Sequence, residues 1–257
     1  MIINIKDLQF GYSKKVILNN ISLRIRSGEC VSILGPNGAG KSTLIKCIDG
    51  LLTPNKGSVV VHDKNIRFMN RRELSKLVSY VPQVSQNRFS LKVFDMVLIG
   101  RSPHMTWRSS FEDKEKAINA LKLLGIENLA MRSFNELSGG QQQKVIIARA
   151  IAQETKILLL DEAISNLDIK HQLDVMEIVK QLASRYGISV VMVVHDLNIA
   201  SRYSDKIVMM KKGEIVKVGD PHQVLTKNNI ANVYGVDAYV GNIESKPHIV
   251  PLKVMCV

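Results

Sequence analysis

Nine consecutive residues, Gly35-Pro36-Asn37-Gly38-Ala39-Gly40-Lys41-Ser42-Thr43, have the types and order to hold a chain of phosphates. They fit G-x-x-x-x-G-K-[ST], with the apolar strand run Cys30-Val31-Ser32-Ile33-Leu34 before them and a helical run from Lys41 after them. Glycines let successive backbone N–H groups converge on anionic oxygens. The helix start adds its own orphan donors and the positive end of its dipole. Lys41 brings charge for the outer phosphates and Ser42 a hydroxyl for Mg²⁺.

Two later segments extend this chemistry. Ile157-Leu158-Leu159-Leu160-Asp161-Glu162 is an apolar strand ending in two carboxylates. The first suits Mg²⁺ through its water shell, and the second suits a general base that polarises an attacking water. Leu137-Ser138-Gly139-Gly140-Gln141 opens a helix that runs to about Gln153. Ser138 and Gln141 match a capping box. A capping box alone does not call for two glycines in the first turn, where each costs ~1 kcal/mol against alanine. They make sense where something must come close to the backbone.

Taken in chain order, 35–43, then 137–141, then 157–162, the three segments resemble the nucleotide-binding domain of ATP-binding-cassette (ABC) proteins. Ser138 follows Lys41 by roughly a hundred residues, which suits that family's helical insertion. The resemblance covers essentially the whole chain. It implies an α/β fold: a P-loop NTPase with a RecA-like core, an N-terminal antiparallel β subdomain and an inserted helical subdomain. It implies an ATPase that binds ATP and Mg²⁺. It also gives roles to matching positions: Tyr12 as the aromatic stacked on adenine, Gln83 as the glutamine that reaches Mg²⁺ alongside Ser42 and Asp161, Ser165-Asn166-Leu167-Asp168 as the loop that crosses a dimer, and His195 as the histidine on the γ-phosphate. Lys41, Glu162 and His195 are then the catalytic group. Two copies are expected head to tail, with Ser138, Gly139, Gly140 and Gln141 of one closing on the P-loop of the other. One departure stands out: the family has Pro-Thr after the catalytic glutamate, and this chain has Ala163-Ile164. Hydrolysis is expected to survive, with looser positioning of the loop.

Softer segments resemble importers of iron-siderophores, haem and cobalamin: Val97-Leu98-Ile99-Gly100-Arg101-Ser102-Pro103-His104, Leu167 to Gln172, His195 to Asn198, Val233-Tyr234-Gly235-Val236 and Pro247 to Pro251. The implied partners are a second copy, integral membrane permease subunits and, indirectly, an external substrate-binding protein. The implied location is peripheral, on the cytoplasmic side of the cell membrane. The span from Phe89 to His104 is the expected permease-facing surface. The alternatives are a molybdate or tungstate importer, or a soluble ABC ATPase without a permease. Cargo is not written in the chain.

The elements that must position these residues are legible in outline. Residues 1 to 27 alternate apolar and polar, as half-buried strands do, with a loop from Gly11 to Lys15. Residues 57 to 83 read as short strands and turns. Residues 85 to 155 turn helical, with Val93, Met96 and Val97, then Ala117, Ala120, Leu121 and Leu124, at helix spacing. Strand–helix alternation returns over 156 to 200, with a helix from Gln172 to Leu182, and a hairpin turns at Lys212-Gly213. The expected organisation is one nucleotide-binding domain: a core from 1–84 and 156–235, a helical signature subdomain at 85–155 and a C-terminal extension at 236–257.

Composition bounds the rest. The 257 residues are 46% hydrophobic and 23% charged, which is globular rather than disordered. The net charge of +12 suits an anionic ligand, an anionic lipid surface or nucleic acid. Only 5% of residues are aromatic, which argues against a base-stacking surface, so no nucleic-acid partner is expected. Cys30, Cys47 and Cys256 have no metal-ligand spacing, and the first two read as buried small hydrophobes in a reducing compartment. The start of the chain has no signal-peptide organisation. No apolar run approaches the ~20 residues that span a bilayer, so another chain is expected to supply the pore.

Overall fold

The computed structural model describes residues 1–13, 15–83, 91–165 and 167–255. Phe89, Asn166 and Cys256 lie outside them. The strands are β1 (Ile3–Tyr12), β2 (Lys15–Ile25), β3 (Cys30–Leu34), β4 (Lys56–Val61), β5 (Lys64–Asn65), β6 (Val78–Val81), β7 (Ile157–Asp161), β8 (Ser189–Val193), β9 (Lys206–Lys211), β10 (Glu214–Gly219), β11 (Val236–Ile243) and β12 (Lys246–Val254). The helices are α1 (Lys41–Ile48), α2 (Arg71–Ser75), α3 (Val93–Leu98), α4 (Phe111–Leu123), α5 (Gly139–Ala152), α6 (Ile169–Tyr186), α7 (Leu197–Tyr203), α8 (Pro221–Val224) and α9 (Lys227–Tyr234). Among the described residues, no helix is long and apolar enough to cross a membrane.

The chain forms two compact units, Met1–Met69 with Ser189–Val257, and Asn70–Ile188. In the first, β2, β1, β4 and β5 form an antiparallel sheet in that order. Its strands alternate buried and exposed residues, as the sequence pattern requires of a sheet with one wet face. Beside it, β3 runs parallel to both β8 and β9, and β10 returns antiparallel along β9. β3 and β8 are buried at every residue, which is why they read as unbroken apolar runs. β11 and β12 make a terminal hairpin.

In the second unit β6 and β7 pair in parallel, and α3, α4 and α5 pack on one another. Cys30 and Cys47 are both buried, as expected. Burial pushes the Cys47 thiol up to about 12, so it acts as a hydrophobe rather than a nucleophile.

Three local expectations need correction. Tyr12 is the last residue of β1 rather than a loop residue, because pairing with Lys15 extends the strand. Residues 71–75 form a short helix inside the segment read as strands and turns, started by a capping box between Asn70 and Glu73. α6 is longer than Gln172 to Leu182: Asp168 caps its start, and Gly187, in the left-handed region at φ 65°, closes its end.

Candidate functional site

Within the first unit, the glycine-rich turn grows out of β3. Register pairs Ile33 with Val193, so the turn from Gly35 and the segment carrying His195 leave the carboxyl ends of adjacent parallel strands. Ligands bind at that end in open α/β sheets. Gly40, at φ 95°, caps α1 and aims its first turn at the loop. The Lys41 ammonium donates to the carbonyls of Gly35 at 2.8 Å and Pro36 at 3.0 Å, which holds the charge inside the arc of the turn.

The turn has tight neighbours that local sequence does not reveal. A Cβ on Gly35 would stand 2.3 Å from the Met210 carbonyl, and one on Gly40 would stand 2.7 Å from Leu18. Gly213 donates to the Ala39 carbonyl at 3.1 Å. The β9–β10 hairpin therefore braces the glycine-rich turn. The Tyr234 hydroxyl is also buried, and burial pushes its phenol up to about 12, against a smaller pull from the Gly35 backbone. Tyr12, 56% exposed, meets Phe10 edge-on at 5.0 Å, leaving ring surface for a flat ligand. Ser42 and Thr43 are half-buried in the first turn of α1, Pro36 is half-buried, and Asn37 and Gly38 are exposed.

In the second unit, β6 and β7 bring Gln83 together with Asp161 and Glu162. Register pairs Val81 with Leu160, so both segments leave the same end of adjacent strands. Gln83 Nε2 donates to Glu162 Oε2 at 2.9 Å, and the Tyr80 hydroxyl donates to Asp161 Oδ2 at 3.1 Å. Glu162 sits in the left-handed region at φ 53°. For a non-glycine residue that costs ~1–3 kcal/mol and persists where the surroundings enforce it. Here they do. The Glu162 carbonyl accepts from Ser165 Oγ at 2.8 Å, and the Ile164 carbonyl accepts from Gln172 Nε2 at 3.1 Å. Ala163 and Ile164 are both buried. Burial and side-chain hydrogen bonds thus hold the turn where proline's fixed φ is missing.

Asp168 accepts from the His171 amide at 2.9 Å and contacts His171 Nδ1 at 2.8 Å. The backbone bond, followed by the imidazole, holds its carboxyl below the usual range. Ser138 caps α5: its amide donates to Gln141 Oε1 at 3.1 Å and its hydroxyl accepts from the Gln141 amide at 3.4 Å. The capping box is therefore real, and it leaves the two glycines unexplained. Among the described residues, a Cβ on Gly139 would meet nothing within 4 Å, and one on Gly140 only Leu167 at 3.5 Å. Gly100 is the opposite case: a Cβ there would strike the Arg149 carbonyl at 2.1 Å. Gly100 is demanded by the fold, and Gly139 is not. Gly139→Ala should therefore leave the thermal midpoint unchanged or slightly raised while lowering at least tenfold the ATP turnover that the resemblance implies. An unchanged turnover would mean that nothing approaches this backbone.

Sequence reasoning missed a buried ionic clasp. Arg101, 3% exposed, bonds Asp113 Oδ1 at 3.0 Å, the Ala152 carbonyl at 2.8 Å and Glu154 Oε2 at 3.0 Å. Lys116 reaches Glu154 at 2.6 Å and Glu112 at 2.7 Å. No single-sequence signal pairs Arg101 with a carboxylate twelve residues on across a loop. The Ser110 backbone amide first, then the Ser110 hydroxyl and Arg101, hold the Asp113 carboxyl at about 2. A lowered folded value adds stability that is complete above the ordinary 3.8 and is lost as pH falls through about 2. Asp113→Asn should flatten that acid limb in a midpoint-against-pH series. Arg101→Ala strands buried carboxylate charge and should cost about 3–5 kcal/mol in denaturant unfolding.

A family model described as ABC transporter matches residues 18–165. An ABC transporter ATP-binding protein of Methanocaldococcus jannaschii is 48% identical over 98% of this chain and 98% of its own length. The petrobactin import ATP-binding protein FpuC of Bacillus anthracis is 35% identical over 98% of this chain and 93% of its own length. Among solved structures, a transporter described as of metal-chelate type, in an inward-facing conformation, is 30% identical at TM-score 0.86, covering 98% of this chain and 97% of that one. The fold is the P-loop NTPase α/β fold, with an antiparallel sheet region and a helical region.

Proposed function

The chain belongs to the ABC transporter family and is an ATPase; from that premise we propose that it is the energy-coupling subunit of an importer for an iron-siderophore, haem or cobalamin-type metal chelate. It works as a homodimer at the cytoplasmic face of the membrane, against permease subunits that an external binding protein supplies with cargo. The observation that carries the importer reading is similarity along nearly the full length to a petrobactin import subunit. The 97–104 and 167–172 segments support the same branch.

Each side chain then has a task. The turn from Gly35 to Thr43 binds the triphosphate through backbone N–H groups, with the Lys41 ammonium on the outer phosphates. Tyr12 offers its ring to adenine. Glu162 takes a proton from water as the water oxygen attacks the γ-phosphorus, and the bond to the ADP oxygen breaks. Gln83, bonded to Glu162, fixes that carboxylate's direction. His195 contacts the γ-phosphate, and Asp168 shapes the loop facing the second copy. The Ser42 hydroxyl, the Gln83 amide oxygen and the Asp161 carboxylate are hard oxygen donors, the set that suits Mg²⁺. Gln83 gives its nitrogen to Glu162, which turns its oxygen away from the carboxylate. When bound, Mg²⁺ neutralises phosphate charge. Ser138 to Gln141 of the second copy add a helix N-terminus to the same phosphates, and an open Gly139 is what such an approach needs.

Purified from its own membranes, the chain should bring down a multi-helix permease, and the chelate-loaded binding protein should raise ATP turnover in proteoliposomes. Recovery free of any permease would overturn the importer reading in favour of a soluble ATPase. Stimulation by molybdate or tungstate alone would move it to a different cargo.

A further inference from the structure

Trp107 is the chain's single tryptophan and is 100% exposed. Phe111, four residues on at the start of α4, is 84% exposed. Large aromatic surface in water is unfavourable, and an indole with a polar edge suits a boundary between apolar and wet surroundings.

The segment carrying Trp107 is braced at both ends. Arg72 donates to the carbonyls of Pro103 at 3.1 Å and Met105 at 2.6 Å. His104 Nε2 contacts the Gln153 carbonyl at 2.9 Å, and Arg101 is sealed in its clasp. Ser110 caps α4. Between these anchors Thr106, Trp107 and Arg108 project as an exposed tip.

Two features indicate what the tip meets. The first is charge. No carboxylate lies between Asp95 and Glu112, Arg108 is exposed beside the indole, and Arg72 is drawn onto the same loop. Glu112 is paired with Lys116 at 2.7 Å, although Glu115 lies one turn further along. The second is shape. Trp107 lines neither the cleft of about 370 Å³ around Lys116 and Tyr186 nor the one of about 310 Å³ around Leu52 and Asn65. A projecting aromatic flanked by Thr106, Arg108 and Ser109 is built to enter a fluid interface.

We propose that Trp107, Arg108 and Phe111 form a membrane-interface anchor for anionic phospholipid. The two rings enter the headgroup–acyl boundary, and the Arg108 guanidinium pairs with lipid phosphate. The anchor rests on the membrane-face part of the proposed function and needs neither the cargo nor the ATP chemistry.

Because Trp107 is the sole tryptophan, the emission of the full chain reports this site alone. With phosphatidylglycerol vesicles, in the absence of permease and nucleotide, emission should shift to the blue and be quenched by brominated lipid chains. Phosphatidylcholine vesicles, or about 1 M salt, should remove most of the effect. Arg108→Glu should weaken partitioning roughly tenfold. Trp107→Ser, followed by vesicle sedimentation, should weaken it comparably, and both variants should hydrolyse ATP in solution as the wild type does. Unshifted emission at saturating phosphatidylglycerol would overturn the anchor. So would protection of Trp107 seen only in vesicles that also hold the permease, which would make the tip a protein contact. The importer reading fails separately, on the absence of a co-purifying permease.

Discussion

Glu162→Gln should lower phosphate release by a factor of roughly 10²–10⁴, the range for removing a positioned general base, while ATP binding is retained. The change replaces one oxygen by an NH₂ of nearly the same size. A left-handed backbone at φ 53° accepts glutamine no worse than glutamate, and the Ser165 bond to the residue's own carbonyl does not involve the side chain. The bond from Gln83 Nε2 survives on the remaining oxygen. What is lost is the ability to accept a proton. With the γ-phosphate intact, the two copies should stay joined, and light scattering with saturating ATP should report twice the monomer mass. A variant that turns over ATP at the wild-type rate would remove Glu162 from the role of base. One that binds ATP yet stays monomeric would end the two-copy arrangement.

Lys41→Ala should weaken ATP binding roughly 10- to 100-fold, since a charge-assisted contact is worth about 1.5–3 kcal/mol. Turnover should fall further, by about 10²–10³, because charge on the migrating phosphoryl group loses a fixed partner. The ammonium is buried and satisfied by the carbonyls of Gly35 and Pro36, so alanine also strands two loop acceptors and should lower the thermal midpoint by a few degrees. The decisive measurement is ATP-dependent stabilisation, the midpoint with ATP minus the midpoint without it. That difference should collapse in the variant whatever happens to the midpoint itself. Wild-type turnover in Lys41→Ala would be incompatible with the phosphate-binding role of this loop.

The sequence alone determined those features that depend on neighbours a few residues apart. β3 reads correctly to the residue, because an apolar run ahead of a glycine-rich turn has one sensible structure. The capping box at Ser138 is equally local. Strand alternation at 3–25 and helix spacing at 117–124 follow from fixed backbone periods. The order of the phosphate loop, signature and paired carboxylates carried the family, and with it ATP hydrolysis.

Tertiary structure decided everything that depends on residues distant in sequence. Gly35 and Gly139 look alike on the page. One is pressed by the Met210 carbonyl, and the other, among the described residues, has nothing near its Cβ position. Nothing local singles out Tyr80; the pairing of β6 with β7 puts its hydroxyl on Asp161. Arg101 reads in the sequence only as part of the 97–104 segment, and folding buries it among Asp113, Ala152 and Glu154. Such contacts arise only when separate elements meet, and no rule of local spacing specifies which residues will meet across that gap.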